Sequence, residues 1–177
     1  MIHIAIAYPL LAFLALFAAC DLSTRRIPNA LSFPAMVAGI VVNMALFGLP
    51  GALVGLAGLL TATAIFLPVF ALGGIGGGDV KMMAAVGAFL GPELTLAAMV
   101  FGMVLGGVVM VVVLARRGVL VEKLRATAMM LWSAFSIRSL EPLRAPATEP
   151  GAIALPYSVP LALGTVAALR FGSVLGG

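Results

Sequence analysis

The chain reads as a series of apolar blocks separated by short polar or glycine-proline punctuation. The first block runs from about Ile2 to Cys20 and ends at Asp21-Leu-Ser-Thr-Arg-Arg-Ile-Pro-Asn29, a polar turn. A second, from about Ala30 to Leu49, is divided from a third, Ala52 to about Leu72, by Pro50-Gly51, a pair that marks a turn, so the two blocks are expected to form a helical hairpin. Next comes the run Gly73-Gly-Ile-Gly-Gly-Gly78-Asp79, then an apolar stretch from Val80 to Leu90 closed by Gly91-Pro92-Glu93. As a helix this stretch would rise only about 17 Å, against roughly 30 Å of hydrocarbon, so it is expected to start below the membrane surface or in a thinned bilayer. The fifth block, Leu94 to Leu114, is long enough to cross, and the sixth runs from about Ala152 to Leu169. Between them, from Gly118 to Pro150, Leu120, Leu124, Met130, Leu131, Trp132 and Phe135 lie among Glu122, Lys123, Arg125 and Arg138, as in an interfacial amphipathic helix.

The expected fold is therefore all-α: a polytopic membrane protein of about six transmembrane helices plus a cytoplasmic interfacial helix. It forms one membrane-embedded domain over 1–177, with a cytoplasmic stretch at about 116–150. Composition agrees, since 63% of the 177 residues are hydrophobic and 9% charged, where a soluble domain is about a quarter charged. Charge then sets the orientation. Arg25, Arg26, Lys81, Arg116, Arg117, Lys123, Arg125, Arg138 and Arg144 fall on one side of the six-crossing scheme and Arg170 on the other. Lysine and arginine gather on the cytoplasmic side, which puts Asp21 and Asp79 there and both termini outside. The same distribution explains the formal charge of +4 without nucleic acid. The lone Cys20 excludes an internal disulfide and a cysteine-based zinc site, and neither a metal nor a cofactor is expected. His3 and Trp132 read as interfacial residues.

Four of the six acidic residues have undemanding explanations: Glu93 opens a helix, and Glu122, Glu141 and Glu149 lie in the polar stretch. Asp21 and Asp79 each abut an apolar block on the same membrane face, where ionisable groups are costly and often functional. Two aspartates can hydrolyse a peptide bond together, one taking a proton from water while the other hydrogen-bonds the carbonyl. The glycines Gly76, Gly77 and Gly78 would let the backbone take positive φ and let an extended substrate approach Asp79. Spacing alone equally fits an N-capping Asp79 and an Asp21 paired with Arg25 or Arg26, with the glycines serving packing. Lys81 either marks the cytoplasmic edge or acts on the neighbouring aspartate, and Tyr157 either donates to substrate or sits at headgroup level. A small transporter or channel, or a non-catalytic assembly subunit, are the rival classes.

Asp21 followed by Arg26-Ile-Pro-Asn29, and then Gly76-Gly-Gly-Asp79-Val-Lys81, resemble the two signature motifs of the type IV prepilin peptidases. The second contains the Gly-x-Gly-Asp element shared with presenilin-like intramembrane proteases. Leu155-Pro-Tyr-Ser-Val-Pro160 is similar to the segment, including Pro156 and Tyr157, that opens the family's last helix, with Ser158 where glycine is usual. The resemblance implies an aspartyl endopeptidase of the bacterial inner membrane that cleaves prepilin or pseudopilin leaders at the cytoplasmic face. It implies Asp21 and Asp79 as the catalytic pair, and the lipid bilayer and the prepilin as partners. Longer members carry an N-terminal cysteine tetrad and methylate the new pilin N-terminus. This sequence resembles the short peptidases of tight-adherence pilus systems, for which methyl transfer is not expected.

Overall fold

The computed structural model describes residues 4–137 and 157–175. Every element in them is a helix: α1 (Ile4–Thr24), α2 (Asn29–Ala71), α3 (Gly77–Arg116), α4 (Leu120–Ile137) and α5 (Ser158–Leu175). Three of these, α1, α2 and α3, are long and apolar enough to cross a membrane, and α5 is shorter.

α1 runs four residues further than the sequence suggests. The hydroxyls of Ser23 and Thr24 bond back to the carbonyls of Ala19 and Cys20, and Arg25 then leaves the helix with a φ of 52°. Asp21 is thereby in the last turn of α1 rather than beyond its end.

α2 has 43 residues and, if straight, would be about 65 Å long, twice the hydrocarbon thickness. It is instead broken at Gly48 (φ 65°, ψ −154°), two residues before Pro50. This is a backbone conformation open to glycine and closed to most other residues. The chain doubles back there: a Cβ placed on Gly55 would lie 3.5 Å from Ile40 Cα and 3.6 Å from Asn43 Nδ2. Segments 29–47 and 50–71 are thus the two arms of a hairpin, as the Pro50-Gly51 pair anticipates.

α3 breaks in the same manner at Gly91 (φ 74°, ψ 177°), directly before Pro92. Its first arm, 77–90, rises about 21 Å and forms the centre of the molecule, with every residue from Met82 to Phe89 buried. Both arms of α2 lie against it through glycine. Gly39 meets the backbone of Ala88 and Phe89, Gly55 the Ala88 carbonyl, and Gly58 the backbone of Gly87 and Gly91. Asn43 adds a polar clasp the sequence reading did not single out. Its buried amide nitrogen donates to the carbonyls of Gly39, Ala88 and Phe89, each at 3.0 Å. Two of those carbonyls end the first arm of α3, where the helix supplies no partner of its own and lipid could not supply one.

The second arm of α3 packs on α5, Gly102 against Leu161 and Gly164 against the Gly102 backbone. α1 seals the remaining side with Leu10, Leu14 and Phe17, and Phe13 reaches the ring of Phe89 at 6.1 Å. Of the amphipathic stretch, Leu120–Ile137 is a helix, α4, while 138–150, Arg138 included, lie outside the described residues. Among the described helices α4 packs against α3 alone, and it leaves Val121, Leu124, Met129 and Trp132 exposed. The outward faces of α2 and α3 carry Phe33, Val37, Val41, Val100, Val104 and Val108, a lining that suits lipid and not water.

Candidate active site

Asp79 occupies the third position of α3. The glycine run ends in Gly76, whose extended backbone (φ −77°, ψ 149°) caps the helix without a side chain. The Asp79 carboxylate reaches back and accepts the Gly76 N–H on Oδ2 at 3.1 Å, the acidic half of a capping box. This fixes the side chain over the helix start, where it is 8% exposed. Asp79 is therefore not the N-cap considered from the sequence: Gly76 holds that place, and the aspartate, inside the first turn, makes the reciprocal bond back to it. That bond orients the carboxylate without using up its second oxygen.

Positive φ at Gly76, Gly77 and Gly78 is not found. Within the run only Gly73 takes it, at 79°, while Gly77 and Gly78 are already helical. The glycines act instead by admitting neighbours. A Cβ on Gly77 would stand 3.3 Å from the Phe70 ring, and one on Gly78 3.3 Å from Ile27 Cγ1. Gly78 thus lets the link between α1 and α2, which carries Ile27, press onto the start of α3. That contact draws the end of α1 towards Asp79.

Asp21 comes from the last turn of α1 and is half-buried. It lies within electrostatic reach of Asp79, although the two carboxylates come from different helices. Its Oδ2 accepts a hydrogen bond from the hydroxyl of Ser158, at 2.6 Å, across 137 positions of sequence. Ser158 opens α5, and its neighbour Tyr157 packs against Gly106, a Cβ on which would lie 3.2 Å from the Tyr157 ring. Were α3 straight, residues 79 and 106 would be about 40 Å apart. The reversal at Gly91 is what returns the second arm to the end of the molecule where Asp79 begins.

Lys81 is half-buried in the first turn of α3, but residues two apart on a helix do not face each other, so it is not directed at Asp79. Tyr157 lines an apolar cavity of about 270 Å³ with Leu22, the residue after Asp21, and with Leu105, Val109, Pro160 and Leu163. Pro156 lies outside the described residues. The structure thus brings together Asp21, Asp79, Gly76, Gly77, Gly78 and Tyr157, and adds Ser158. The sequence's one signal for Ser158 is that serine stands where the resembled family has glycine.

Comparison with known proteins adds to this geometry. The profile of the type IV leader peptidase family matches residues 8–111, a span that takes in both aspartates. The chain is similar to a prepilin leader peptidase/N-methyltransferase of Burkholderia pseudomallei (strain 1026b), 36% identical over 110 residues, covering 56% of this chain and 36% of the relative. It is also similar to a prepilin leader peptidase/N-methyltransferase of Klebsiella pneumoniae, 34% identical over 88 residues, covering 46% of this chain and 39% of the relative. The chain therefore spans little more than a third of the length of these curated relatives. No solved structure matches it. With well over half its length under the family profile, and with the apolar helices that a membrane protein requires, the chain belongs to the type IV leader peptidase family.

Proposed function

We propose that this protein is a membrane aspartyl endopeptidase that removes the leader peptide of type IV prepilins or pseudopilins, with Asp21 and Asp79 activating water. The observation that supports the reading is that two carboxylates from separate helices, each accepting a hydrogen bond on one oxygen, lie within electrostatic reach of each other in a chain of this family. Two adjacent carboxylates resist ionising together, which suits them to share one proton. The ionised member takes a proton from water as the oxygen attacks the scissile carbonyl, and the protonated member hydrogen-bonds the carbonyl oxygen. The proton taken from water then passes to the leaving amine as the C–N bond breaks. Gly76, exposed beside Asp79, gives an extended substrate backbone room to approach; Tyr157 and Lys81 are assigned to substrate contact by the family resemblance.

The proposal extends to topology. The single domain crosses the bacterial inner membrane six times, using α1, both arms of α2, both arms of α3, and α5. Asp21 and Asp79 are at the cytoplasmic face and both termini are outside. The concentration of arginine and lysine near Asp21, Asp79 and the end of α3 supports this orientation. Single cysteines at 118 and near the C-terminus, tested with a membrane-impermeant thiol reagent in intact spheroplasts, are expected to give opposite results, the first protected and the second labelled. Labelling of both or of neither would refute the six-crossing scheme.

The activity itself is tested with purified protein in lipid and a prepilin-like peptide containing the leader junction. The expected result is a new N-terminus on the apolar fragment, detected by mass spectrometry. An intact peptide after prolonged incubation with folded protein would overturn the reading.

A further inference from the structure

Ser158 is fully buried at the start of α5. Its hydroxyl donates to Asp21 Oδ2. At 2.6 Å the bond has the length of a charge-assisted hydroxyl-carboxylate bond. Among the described residues it is the one side-chain hydrogen bond that joins α1 to another helix. The rest of α1 is held by apolar side chains such as Leu10, Leu14 and Phe17, whose packing fixes the face of the helix turned to the core but not the side-chain rotamer of Asp21. That rotamer decides where a carboxylate in the last turn points. Asp79 needs no such outside help, because Gly76 in its own helix start fixes it.

We propose that Ser158 is a positioning residue for Asp21: it holds Oδ2 so that the other carboxylate oxygen faces Asp79 and the water between them. The inference rests on the peptidase reading. It makes α5, which lies beyond the region matched by the family profile, part of the catalytic apparatus. The bond sits behind the carboxylate, so its loss should impair the chemical step and leave substrate binding alone.

The test uses the full chain in lipid, with Ser158→Ala and Ser158→Gly, two ways of removing the hydroxyl that enlarge nothing in a buried position. Each variant that retains the helical circular dichroism of the parent is expected to lose about ten- to a hundredfold in kcat, the range for a lost hydrogen bond to a charged group, with KM within about twofold of the parent. An unchanged kcat, or a rise in KM at constant kcat, would overturn the proposal. A second readout does not depend on turnover. The infrared carboxyl band of Asp21, assigned by its disappearance in Asp21→Asn, is expected to move in both Ser158 variants. A band that stays in place overturns the positioning role. If the parent protein fails to cleave, the peptidase reading falls by itself, while the band still reports whether Ser158 governs the state of Asp21.

Discussion

Asp21→Asn and Asp79→Asn are each expected to reduce cleavage of a prepilin-like peptide by about 10²–10⁴-fold or more, the range for losing a general acid or base. Asparagine nearly matches the shape of aspartate, and its amide oxygen can still accept the bonds from Ser158 and Gly76 that hold the two side chains. It cannot exchange a proton. Folding and insertion should therefore survive, as judged by circular dichroism and elution in detergent, while the new N-terminus disappears. Glu93→Gln serves as the contrast, since Glu93 is exposed near the break in α3 and should be dispensable. Near-normal turnover in either aspartate variant would remove the catalytic assignment.

The hairpins were legible because the chain marks its reversals with residues that helices reject. Pro50 and Pro92 cannot continue a hydrogen-bonded helix, and each stands within two residues of a glycine that takes the required positive φ. The pivot of α2 lies at Gly48, slightly before the Pro50-Gly51 pair that announced it. Both aspartates were legible as well, because a carboxylate at the edge of an apolar block carries a cost that needs a reason. What could not be read was long-range contact. Ser158 and Asp21 are 137 residues apart, and Asn43 reaches carbonyls 45 and 46 positions away. Neither residue has a local pattern that names its partner. The glycine run shows the same limit from the other side. Its lack of side chains was plain, but whether that served backbone freedom or close packing depended on Ile27 and Phe70 arriving from elsewhere in the chain.

Close packing by glycine also underlies the largest expected effect on stability. Gly58 of α2 and Gly87 of α3 meet backbone to backbone. A Cβ on Gly58 would run into the Gly87 carbonyl and lie 2.7 Å from Gly91 Cα, and one on Gly87 would lie 2.9 Å from the Leu59 nitrogen. No flexible side chain stands there to move aside, so a larger residue must push the second arm of α2 off the first arm of α3. Gly58→Val is expected to cost at least the upper end of the roughly 1–3 kcal/mol typical of overpacking. Because the arm of α3 that loses this support carries Asp79, activity should fall with it. Gly107→Ala is the matched control. A Cβ there meets nothing within 4 Å, so relief of the glycine penalty in a helix should leave stability unchanged or raise it by about 0.5–1 kcal/mol. Unfolding followed by circular dichroism in mixed micelles of rising denaturing-detergent fraction measures both variants. A Gly58→Val protein that unfolds at the same detergent fraction as its parent would show that the two helices do not meet through these glycines, and would take with it the account of how Asp79 is held.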